Sequence, residues 1–140
     1  MTTRSRHGTT HAGSRVLFAT SLPLWLGALL SDWAYSSTFN IQWTNFASWL
    51  NAGALVIVGL AIAWSVVSAV LHSAAGTRKP WLFIGLAVAV FVLGFINALV
   101  HAKDAWAAMP AGLILSVLVF LLAAAAVGIG FSAREREVAP

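Results

Sequence analysis

The chain of 140 residues is 60% hydrophobic and only 9% charged, with a mean hydropathy of +0.88. Soluble domains carry about 25% charged residues, so this composition cannot cover a water-facing surface and excludes an ordinary soluble globule. The formal charge of +4 comes from short basic clusters between long apolar runs, which argues against a nucleic-acid-binding face, and the absence of cysteine excludes disulfides, thiolate catalysis and cysteine-held haem or iron–sulfur clusters.

Residues 1–14 (MTTRSRHGTTHAGS) are polar and lack apolar periodicity, so they read as a flexible tail. A first apolar span follows at about 16–35, with Asp32 in its last turn. A basic start before an apolar run resembles a signal peptide, but three further runs favour a retained span. Crossing about 30 Å of hydrocarbon takes roughly 20 helical residues. Pro23 removes a backbone donor inside this span, so a kink is expected near Thr20. The hydroxyls of Thr20 and Ser21 are placed to satisfy the carbonyls it frees.

Residues 36–45 are polar and turn-forming, and a second span runs from about 46 to 71. Ala61, Ser65 and Ala69 give it a stripe of small side chains, which lets helices approach closely in lipid. A short basic turn ends at Pro80, a residue suited to opening a helix. The third span covers about 81–101, with Gly85, Ala89 and Gly94 as further close-approach positions. Residues 102–109 form a connection, Pro110 opens a fourth span to about 131, and 132–140 is a charged tail. The fold expected is all-α: a transmembrane antiparallel four-helix bundle formed by residues 15–131.

Orientation follows from the bases. Arg4, Arg6, Arg15, Arg78, Lys79, Arg134 and Arg136 flank one side, and Lys103 alone lies on the other. The positive-inside rule then places both termini in the cytoplasm. Trp33, Trp43, Trp49 and Trp106 gather at the outer span ends and Trp81 at an inner one, as in an interfacial aromatic belt.

Chemistry concentrates at the outer end of the third span. Asn97, His101 and Asp104 are spaced by four and three residues and share one face of a continuing helix, while Asp32 ends the first span at the same level. Ionisable groups in a membrane are costly and turn towards the bundle interior. The cluster has three readings: a polar clamp between helices, a proton-responsive pair built on an imidazole of intrinsic pKa about 6.5, or a metal site of Asp32, His101 and Asp104. One helix supplies only two ligands of such a metal site. Asn97, one turn deeper, is expected to point inward and find a partner.

His11 and His72 lie at the opposite end, on different helices at one depth, an arrangement that can supply axial imidazoles to haem. No Gly-rich phosphate loop, HExxH or GxSxG occurs. Nothing in the sequence supports an enzyme.

The stretches LGALLSDWAY (26–35), WTNFASWLNAG (43–53) and LGFINALVHAKDAWAAMPAGLILS (93–116) resemble a small bacterial membrane family known as domain of unknown function 2231. The resemblance implies a bacterial four-span inner-membrane protein of unassigned activity. The chain departs from the family's His-Pro start, since Ala12 follows His11, and it ends in GIGFSAREREVAP without the Gly-Gly-Glu-Leu segment. Some relatives occur beside cytochrome-type modules, which favours haem as the alternative cofactor. The expected function is a non-enzymatic accessory or interaction subunit of a bacterial envelope complex, without a cofactor. Its partners would be the lipid bilayer and other membrane subunits or a second copy, and not nucleic acid. The alternatives are a haem-binding or electron-transfer protein using His11 and His72, and a proton- or metal-responsive carrier using Asp32, His101 and Asp104.

Overall fold

The computed structural model describes residues 4–71, 79–103 and 105–138, with side chains over 12–71, 81–103 and 107–132. His72, Asp104 and the His11 side chain therefore lie outside the described residues. The described elements are helices: α1 (Arg4–Ala19), α2 (Leu22–Thr38), α3 (Ile41–Leu71), α4 (Lys79–His101), the single turn α5 (Ala105–Ala108) and α6 (Ala111–Val138). Four stretches are long and apolar enough to cross a membrane: Ala12–Thr38, Ile41–Leu71, Trp81–His101 and Ala111–Ser132.

The first of these stretches is broken between α1 and α2, two residues before Pro23. Just past the end of α1 the amides bond three residues back, with Ser21 N–H reaching Phe18 O at 3.0 Å. The Thr20 hydroxyl donates to Leu17 O at 2.6 Å and the Ser21 hydroxyl to Phe18 O at 2.7 Å, so local side chains cover carbonyls at the break. Helix α1 reaches back to Arg4, into the segment expected to be a tail, and Ser14 is buried. Gly13 explains the close packing there: a Cβ at that position would lie 3.0 Å from the Trp64 ring.

The connection between α2 and α3 is also shorter than expected, shrinking to Phe39 and Asn40. Ser36, Ser37 and Thr38 donate to the carbonyls of Trp33 and Ala34, which lets polar residues extend the helix. Phe39 takes a left-handed conformation at φ 54° and returns its N–H to Tyr35 O. Asn40 Oδ1 then accepts the Gln42 N–H at 3.0 Å, capping the start of α3. Further on, α6 continues to Val138, past the expected span end at 131.

The four long helices close a ring of packing contacts in the order α2, α3, α4, α6, and α1 lies mainly against α3. The buried face of α3 carries small residues: Ala47, Ala54, Ala61, Ser65 and Ala69. Val119, Ala123 and Ala126 of α6 meet it across the core with Ala87 and Val90 of α4. Large apolar side chains point outward instead; Trp49 is 81% and Leu71 72% exposed. Small residues inside and large apolar ones outside suit a lipid solvent. Not every expected packing glycine serves the packing. Gly94 is buried, but Gly85 and Ala89 are exposed, and a Cβ at 85 would meet nothing within 4 Å. Their faces turn away from the core, because the buried stripe of α4 follows Phe83, Ala87, Val90, Gly94 and Asn97.

At the α1 end, Arg15 Nη1 donates to Gly130 O at 3.0 Å and its guanidinium lies 5.8 Å from the Phe83 ring centroid. Phe83 in turn meets Phe18 edge-on at 5.4 Å. A cluster of apolar side chains from all four long helices and Phe18 fills much of the interior, and the polar site lies at the far end from Arg15.

Candidate functional site

The site forms where the ends of α2 and α4 meet the start of α6. Asp32 sits in the penultimate turns of α2, Asn97 and His101 lie one turn apart on α4, and Ser116 is in the second turn of α6. Helical spacing of four puts His101 over Asn97 on one face. Gly112 makes room on α6: a Cβ there would lie 3.1 Å from His101 Cε1. The four polar residues are 0%, 0%, 8% and 2% exposed for Asp32, Asn97, His101 and Ser116.

They form a closed hydrogen-bonded ring. His101 Nε2 lies 2.8 Å from Asp32 Oδ1. The Ser116 hydroxyl donates to Asp32 Oδ2 at 2.5 Å. Asn97 Nδ2 donates to Ser116 Oγ at 2.9 Å, and His101 Nδ1 lies 2.9 Å from the Asn97 carbonyl oxygen. Three of these bonds join three helices, and the fourth, from His101 to the Asn97 carbonyl, closes the ring within α4.

The ring constrains where the protons lie. A backbone carbonyl only accepts, so His101 Nδ1 carries a hydrogen. Nε2 and Oδ1 then need one proton between them, giving imidazolium with carboxylate or neutral imidazole with carboxylic acid. In both forms the pair has no net charge, which a buried site requires far more strictly than a surface one. Ser116 donates to the carboxylate and not to the imidazole, so the histidine is not its base and the order of residues differs from that of a hydrolytic triad. The arrangement can hold a proton and tie helices together.

The structure thus brings together Asp32, Asn97 and His101, whereas Asp104 lies outside the described residues. Lys103 is exposed beyond the ring. Among the described residues, no three His, Cys, Asp or Glu side chains gather as a metal site would require. Both haem candidates fall outside the described side chains. Sequence reasoning missed Ser116 and Gly112. The signal for Ser116 was present, because it is the one hydroxyl between Pro110 and Phe131; the signal for Gly112 needed the position of the imidazole.

A groove of ≈ 610 Å³ opens between α2 and α3, lined by Leu24, Gln42, Asn45, Phe46, Trp49 and Leu50. None of the ring residues lines it. Below the ring, the buried positions of α4 and α6 are apolar: Val90, Ala87 and Phe83 on one, Val119, Ala123 and Ala126 on the other. The polar site therefore has its nearest route to water at the His101 end. Compared with known proteins, the chain finds no counterpart: no family model, curated protein or solved structure matches it.

Proposed function

We propose that the chain is a non-enzymatic multi-pass protein of a bacterial inner membrane, an accessory or interaction subunit whose buried polar ring clamps its helices. The fold in this reading is an antiparallel four-helix bundle with both termini in the cytoplasm. Neighbouring registers support the antiparallel part, since Leu24 meets Gly53 while Gly27 meets Leu50. The seven-to-one distribution of bases supports the orientation. The resemblance to domain of unknown function 2231 belongs to the same proposal.

One observation carries the clamp. Both carboxylate oxygens of Asp32 and both ring nitrogens of His101 are already engaged inside the protein. A site built for a metal or substrate keeps a donor or acceptor free to meet it; here the pair's four atoms all have partners within the protein, and two of the bonds cross between helices. A proton-responsive role is the second reading, favoured by the single proton between Oδ1 and Nε2. The apolar positions further along α4 and α6, from Val90 to Phe83 and from Val119 to Ala126, argue against that proton crossing the membrane.

The test is an absorption spectrum and metal analysis of the purified protein in detergent, paired with unfolding of Asp32→Asn. The clamp expects neither a Soret band nor a stoichiometric metal, and a marked loss of stability in the variant. A stoichiometric haem that disappears in His72→Ala would overturn it, as would an Asp32→Asn protein as stable as the parent.

A further inference from the structure

The ring of hydrogen bonds joins α2, α4 and α6 but leaves out α3. Deeper in the protein lies a second set of polar side chains, and one of them belongs to α3. Trp25, Asn51 and Asn97 are 1%, 0% and 0% exposed. Each carries one polar atom without a hydrogen-bond partner among the described residues: Trp25 Nε1, Asn51 Oδ1 and Asn97 Oδ1. Two other unpaired hydroxyls, on Thr44 and Ser65, lie singly towards opposite ends of α3 and mark no shared place.

The three atoms belong to residues grouped around Gly94. The Trp25 ring closes on this glycine so tightly that a Cβ there would lie 2.5 Å from Cη2 and 3.2 Å from Cζ2. Cζ2 is joined to the indole nitrogen through a single ring carbon, so the N–H lies near this edge. Asn51 Nδ2 donates to the Gly94 carbonyl at 3.3 Å. Asn97 follows one turn along α4.

The valences identify the ligand class. The set offers one donor and two acceptors. The amide oxygens cannot bond each other, and the indole can satisfy only one of them directly. A ligand that accepts once and donates twice satisfies all three, and the smallest is water. Buried waters make about three hydrogen bonds, the number available here. Leaving three polar atoms unpaired in an apolar interior is the costly alternative.

We propose that one water molecule is bound between Trp25, Asn51 and Asn97, accepting the indole N–H and donating to the two amide oxygens. It connects α3 to the ring through Asn97, so that all four long helices meet in one polar network. The water site rests on these three atoms and not on the clamp reading.

The experiment is nuclear magnetic resonance of the full chain, labelled with ¹⁵N-tryptophan, in detergent micelles. The Trp25 indole signal is identified by its loss in Trp25→Phe or, where that variant does not fold, by sequential assignment of the parent. The expected result is a cross-relaxation peak between the Trp25 indole proton and a long-lived water, and a downfield indole shift. An indole proton with no water cross-peak overturns the proposal, whether it resonates as a free N–H or bonds directly to an asparagine. Failure of the clamp is a separate result, read as unchanged stability in Asp32→Asn while the water peak persists.

Discussion

Asp32 Oδ1 and His101 Nε2 face each other at 2.8 Å although 69 residues separate them, and the proton between them belongs to the pair. Removing one member leaves the other buried with an unmet charge or hydrogen bond. Breaking a buried pair costs about 3–5 kcal/mol, whereas removing both partners is often much milder. Asp32→Asn and His101→Gln should therefore each lower unfolding stability by about that amount, and the double variant by clearly less than their sum. A double-mutant cycle in detergent measures this coupling. Additive losses would mean that the two side chains do not depend on each other.

Ser116 holds the ring at a different point. Its oxygen accepts from Asn97 Nδ2 and its hydrogen goes to Asp32 Oδ2. Ser116→Ala strands both partners, with an expected cost of about 1–3 kcal/mol. Membrane hydrogen bonds between neutral groups average about 0.6 kcal/mol, so a loss near the upper figure would reflect the carboxylate. Comparing Ser116→Ala in the Asp32→Asn background separates the two contributions: the cost should fall once the carboxylate is gone.

The four long apolar helices were legible because hydropathy acts over whole helices, and a run such as 111–131 contains one polar side chain. The local breaks were partly legible: Pro23 announces the α1–α2 break through its missing N–H. The capping that shortens the α2–α3 connection depends on Asn40 and on hydroxyls folding back onto their own helix, which made 36–45 read as a longer turn. On α4, the spacing of Asn97 and His101 identified the active face. Asp32 was legible as their neighbour, because it ends the first span at the same level, but Ser116 was not: the register of α6 against α4 depends on Gly112 admitting an imidazole, and that of α2 against α4 on Gly94 admitting an indole, and neither follows from spacing along one helix.

Those glycines give a graded prediction. A methyl at 94 would lie 2.5 Å from Trp25 Cη2 and one at 112 would lie 3.1 Å from His101 Cε1, whereas one at 85 meets nothing. Overpacking a core costs about 1–3 kcal/mol, and alanine in place of an exposed helical glycine stabilises by up to about 1 kcal/mol. Gly94→Ala should be the most destabilised of the three, Gly112→Ala intermediate, and Gly85→Ala equal to the parent or better. Unfolding midpoints under one detergent condition rank them. An equal loss at all three positions would contradict the packing described here.

The orientation can be read from labelling, because the chain contains no cysteine and each introduced thiol reports alone. Ser37 lies near the end of α2 and Ala105 at the α5 turn, both at the end of the protein where Asp32 and His101 meet. Thr77 belongs to the basic segment between the second and third spans, on the side assigned to the cytoplasm by the seven bases. A membrane-impermeant maleimide added to intact cells or spheroplasts should label Ser37→Cys and Ala105→Cys. Thr77→Cys should react only after the membrane is opened. The reverse pattern would put the polar ring on the cytoplasmic side and overturn the assigned orientation, while leaving its hydrogen bonds unchanged. Labelling at all three positions in intact cells would break the four-span topology itself, since an odd number of crossings would then separate two residues found on one side.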